Sequence, residues 1–143
     1  MSPIDLSGDI ATAVEGAQPA GRSFVVGYVD HEGKASLSFR GSVVVLGPDT
    51  LGLWVRDPAG AFVTSIAERP DVSLLYYSRE TPGAFYLSIR GRARVDVSAT
   101  DAVYDKMAKA EQALDAERKG AAIVIDVDSV RGASPDGPIA QTR

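Results

Sequence analysis

The chain has 143 residues, a net charge of −4 and no cysteine, so it is long enough for one domain with its own core and has no disulfides, thiolate metal site or cysteine nucleophile. The acidic balance without a long basic run removes the electrostatic footprint of a nucleic-acid binder, and a lone histidine, His31, argues against a histidine-rich metal centre. The opening MSPIDLSGDI lacks a signal-peptide pattern and no apolar run is long enough to span a bilayer, so a cytoplasmic protein with no membrane and no nucleic-acid partner is expected.

In chain order, Leu6 to Ala17 forms a short helix candidate, with Ser7 as cap and Ile10, Val14 and Ala17 on one face. Arg22 to Asp30 reads as a strand that is apolar on both sides, and His31-Glu32-Gly33-Lys34 as a hairpin loop in which Gly33 takes positive φ. The return strand, Ala35 to Phe39, sets Ala35, Leu37 and Phe39 on one face and Ser36, Ser38 and Arg40 on the other. Gly41 marks a bulge or a close backbone approach, Ser42 to Leu46 continues as a strand, and Gly47-Pro48-Asp49-Thr50 is a turn before a strand over Leu51 to Val55. Asp57 and Pro58 open a helix over Ala61 to Glu68 that buries Phe62 and Ile66.

Val72 to Tyr77 is then a buried strand and Ser78 to Gly83 a loop. Ala84 to Val97 alternates cleanly, with Phe85, Leu87, Ile89, Ala93, Val95 and Val97 on one face, and Gly91 where so long a strand would bend. The arginines on its other face, Arg90, Arg92 and Arg94, suit a solvated strand face, or pairing with acidic residues such as Asp126 and Asp128 across strands. Ser98 to Asp101 can form a capping box for a helix reaching Lys119, with Gly120 at its end. Ala122 to Val127 is a last strand, and residues 131 to 143 read as an irregular tail. Antiparallel strands with inserted helices suggest a mainly β (α+β) chain, a closed or nearly closed barrel, whose core covers about 22 to 130.

Arg40 and Arg56 sit near two strand ends, with a glycine-containing turn and a helix start beside them, which suits an anionic phosphate. Gly41 allows close backbone approach by a flat ring, and Trp54 is either an aromatic wall for it or a packing anchor. No nucleophile or proton-transfer constellation is present, so any chemistry belongs to a bound cofactor. Catalytic residues are not identified.

The ordered segments SLSFRGSV, LGLWVRDPAG, IAERPDVSLLYY and YLSIRGRARV, followed by ERKGAAIVIDVDSV, resemble the pyridoxamine 5′-phosphate oxidase-like, FMN-binding split β-barrel family, over roughly Phe24 to Val130. The resemblance implies a six-stranded antiparallel split barrel with short peripheral helices. It implies a homodimer with FMN in a groove at the interface, acting as an oxidoreductase on a small-molecule substrate. A deazaflavin-dependent reductase, a non-catalytic flavin- or haem-binding barrel, and a barrel with no cofactor are the alternatives. By the same resemblance, Arg40 meets the flavin phosphate and Gly41, Ser42 and Val43 line the ring. Trp54 and Val55 lie beside the phosphate, and Tyr86 contacts the ring from the partner strand. Where the family places basic side chains at the start of the short helix, this chain has Gly60-Ala61-Phe62-Val63, and Arg56 is the nearby cation.

Overall fold

The computed structural model describes residues 1–79 and 85–143. Helix α1 spans Asp9–Ala17 and buries Ile10, Val14 and Ala17, the positions that helical spacing puts on one face. Ser7 is not its cap. Gly8, at φ 65°, precedes the helix with no side-chain cap, while the amide and hydroxyl of Ser7 both donate to Asp5 Oδ1.

Strands β1 (Phe24–Val29) and β2 (Ala35–Arg40) form the expected hairpin, with Gly33 at φ 81° in its loop. Strands β3 (Val44–Gly47) and β4 (Thr50–Val55) meet across Pro48 and Asp49. Helix α2 occupies Ala61–Glu68 and turns Phe62, Ser65 and Ile66 inward. Asp57 does not cap it; its Oδ1 accepts the Ala59 amide and closes the preceding turn, and Gly60 takes the cap position. Strands β5 (Asp71–Ser78) and β6 (Phe85–Val95) pair along their length. The expected loop after Ser78, and Ala84 at the head of the long strand, lie outside the described residues.

The single long helix is corrected. Asp96 rather than Ser98 organises its start, accepting the Ser98 amide ahead of a 3₁₀ turn at Val97–Ala99. Helix α3 covers Thr100–Lys106, the backbone leaves helical geometry at Met107 (ψ 148°), and α4 covers Lys109–Ala113. Packing decides the break: Val103, Tyr104 and Met107 bury against Trp54 and Ala122, whereas Ala110 and Leu114, further along the same stripe, are exposed. The left-handed residue after α4 is Arg118 (φ 54°), not Gly120. Gly120 is required for space, because a Cβ there would stand 2.7 Å from Trp54 Nε1.

The irregular tail is corrected too. Strand β7 runs from Ala121 to Ser134 and turns back into β8, Gly137–Thr142. Its glycines and polar residues hide the alternation, but the backbone pairs on both sides.

Among the described residues eight strands belong to one antiparallel sheet, ordered β2-β1-β5-β6-β7-β4-β3, with β8 also on β7. This corrects the expected six-stranded barrel: the sheet has more strands, and among the described residues no pairing joins β2 to β3, so it is open. The bulge expected at Gly91 is present. The main core gathers Phe24, Val26, Leu53, Leu74, Leu87, Ile89 and Ile125 with the inner faces of α1 and α2. A second cluster lies under α3. Two of the three ladder arginines pair across strands, Arg92 with Asp128 at 3.0 Å and Arg94 with Asp126.

Candidate functional site

Arg40 ends β2 and Arg56 follows β4, two strands that are not neighbours in the sheet. The chain between them brings their ends together. The buried Ser42 hydroxyl accepts the Trp54 amide (2.9 Å) and donates to the Trp54 carbonyl (3.1 Å), pinning the segment after β2 against β4. Arg40 and Arg56 then line one cleft of about 330 Å³ with Val55, Asp57, Gly60, Ala61 and Phe62.

The charged groups of this cleft are the two arginines and the Asp57 carboxylate. The Arg40 guanidinium lies 4.7 Å from the centre of the Phe62 ring, and its Nε donates to Ser38 Oγ at 3.1 Å. Burial pushes its pKa below the ordinary value and the charge of Arg56 pushes the same way, against the opposing pull of Tyr28. Among the described residues neither arginine is ion-paired. Gly60 starts α2 with no side-chain cap, so the helix amides face the same cleft without a capping oxygen.

A smaller cavity of about 80 Å³ adjoins it, lined by Phe39, Arg40, Gly41, Ser42, Trp54, Arg56, Met107 and Glu111. Trp54 is 4% exposed, packs edge-on against Tyr104 at 5.2 Å, and donates its indole N–H to Asp115 Oδ2 at 2.8 Å. It anchors the second core cluster and offers the cavity only part of its surface. Val43 and Val55 point their side chains into the main core, and the Val43 carbonyl accepts Gln18 Nε2 at 3.1 Å.

Of the residues named from the sequence, Arg40, Gly41, Ser42, Val43, Trp54, Val55, Arg56 and Gly60 converge on this corner. Tyr86 does not. It pairs with Tyr77 on the outer face of β6, about 14 Å from Gly41 by three strand spacings across the sheet. Three residues at the corner escape sequence reading: Gln18, Glu111 and Asp115. The one signal was Gly41, marked as a close approach; the group that approaches is Glu111, 70 residues away in sequence.

No family model and no curated protein matches the sequence. Solved structures do match. A candidate pyridoxamine 5′-phosphate oxidase from Lactobacillus delbrueckii superposes with a TM-score of 0.62 at 16% identity, covering 91% of this chain and 96% of that one. The chain has the pyridoxamine 5′-phosphate oxidase-like fold. The general stress protein 26 from Bacillus anthracis shares that fold with a TM-score of 0.66, 15% identity and coverage of 95% and 100%. A heme binding protein from Mycobacterium smegmatis does so with a TM-score of 0.63, 18% identity and coverage of 95% and 59%. Among the described residues no helix is long and apolar enough to cross a membrane, and no group of three or more histidines or carboxylates is arranged to hold a metal.

Proposed function

We propose that the chain is a cytoplasmic, homodimeric FMN-binding oxidoreductase acting on a small substrate. The observation that carries this reading is the pair of unneutralised arginines, Arg40 and Arg56, beside the uncapped start of α2. Two like charges on one cleft, Arg40 half-buried and Arg56 exposed, repel each other, and with no ion-paired carboxylate an anion that joins them relieves the repulsion. A phosphate there would receive guanidinium donors from Arg40 and Arg56 and amides from the first turn of α2. Gly41 would let a flat ring lie against the strand, and the walls around Trp54 would orient it. Bound FMN supplies the redox chemistry; the protein binds and orients it.

Haem fits less well. The one histidine, His31, is exposed at the far end of the β1–β2 hairpin, about 17 Å of strand away from Arg40. A deazaflavin with a longer acidic tail would need more cations than these two arginines beside α2. Binding without turnover is a second reading, and Gly60-Ala61-Phe62-Val63, standing where the family places basic side chains, favours it.

The test is flavin retention. Purified protein mixed with FMN and freed of excess should keep a flavin absorption spectrum. Arg40→Ala should lose roughly tenfold or more in affinity, the worth of a charged hydrogen bond, with an unchanged circular dichroism spectrum. Wild-type affinity in that variant, or a colourless wild type, would overturn the reading.

A further inference from the structure

The carboxylate of Glu111, on α4, lies against Gly41. A methyl group at position 41 would collide with its Oε1 and stand 3.3 Å from its Cδ. Glu111 thus covers the strip of backbone that a flat ligand would need, and it lines the same small cavity as Arg40 and Arg56. Among the described residues neither arginine is ion-paired to it. The other nearby carboxylate, Asp57, is held in its turn by the Ala59 amide at 3.0 Å.

The element that carries Glu111 is light. Helix α4 has five residues and buries none of them. It is tethered rather than packed. Its Ala108 cap amide donates to Gln18 Oε1 at 2.7 Å, Gln112 Nε2 donates to the Tyr104 carbonyl at 2.8 Å, and the Tyr104 hydroxyl donates to the Gln112 carbonyl at 3.0 Å. An element with so little buried apolar surface moves at low free-energy cost.

We propose that Glu111 is a built-in competitor for the ligand of the Arg40–Arg56 cleft. Its carboxylate covers Gly41 in the free protein, and a ligand with both an anionic group and a flat body displaces it on binding. The proposal rests on the anion-site reading given above. Glu111 then sets selectivity: a small anion reaches the arginines while the carboxylate repels it, and only a ligand that gains contact along Gly41 recovers the loss.

Titration calorimetry of the full chain with FMN and, separately, inorganic phosphate tests this. Glu111→Gln removes the charge and keeps the bulk; Glu111→Ala removes both. Phosphate should bind Glu111→Gln roughly fivefold tighter than wild type. FMN affinity should rise from wild type through Glu111→Gln to Glu111→Ala. If wild type and both variants bind FMN equally, or Glu111→Ala binds it more weakly, the proposal fails and the anion site stands. If none of the three binds FMN or phosphate, the anion site fails and the competitor falls with it.

Discussion

Asp115 does more for the candidate site than its place in a turn suggests. Its carboxylate accepts the Trp54 indole N–H and the amides of Lys119 (2.9 Å) and Gly120 (2.8 Å), locking the segment before β7 onto the end of β4. Burial works to raise its pKa, but these hydrogen bonds outweigh it and hold the carboxyl below the usual carboxylate range. A depressed folded-state value means the contribution is present above the ordinary carboxylate range and is lost as pH falls through the folded value. Asp115→Asn should therefore lower stability by about 1–2 kcal/mol at neutral pH. Thermal melts at pH 7 and near pH 3 check this, since the gap to wild type should narrow in acid. Sequence reading singled out Trp54 and weighed it as an anchor, but its partner lies 61 residues away, and no local pattern encodes a contact of that range.

Elements whose signal is local were legible. The hairpin at Gly33, the turn at Pro48 and Asp49, and the whole of α2 follow from turn chemistry and period alone. Elements decided by partners were not. Helix α3 stops because its apolar stripe runs out of sheet to cover, and β8 forms because β7 offers an unpaired edge. Glycine is similarly context-bound. At Gly132 a Cβ would stand 2.9 Å from the Tyr86 carbonyl carbon, which is backbone and cannot move aside, whereas at Gly16 in α1 it would meet open space. Gly132→Ala should prise β6 from β7 and destabilise by about 3 kcal/mol or more. Gly16→Ala should stabilise by about 0.5–1 kcal/mol. Denaturant melts of the two variants should move in opposite directions.

The whole molecule presents an uneven surface. Leu37 and Phe39 are 76% and 79% exposed, and Leu75, Tyr77 and Tyr86 join them on the outer face of β2, β1, β5 and β6. Sequence alternation identified the apolar side of β2, but not that it points away from the core. A contiguous apolar face of this kind suits a second copy of the chain. Sedimentation at micromolar concentration should give a dimer. Phe39→Ser combined with Leu75→Ser should give a folded monomer, because both side chains are already largely in solvent. A wild-type monomer would contradict the shared-groove arrangement.

Among the described residues strand β7 alone joins β6 to β4, and so unites the two halves of the sheet. During folding this makes the C-terminal part of the chain a late keystone. Strands β1, β2, β5 and β6 can associate early, and β3 with β4, but each half keeps an open edge until β7 enters between them, closing loops of some 70 residues. Such long-range pairing is slow. The chain carries its own clock for this step, because its single tryptophan, Trp54, sits opposite Ala122 of β7. Tryptophan fluorescence should reach its native value in the slowest refolding phase, after far-ultraviolet circular dichroism has begun to recover.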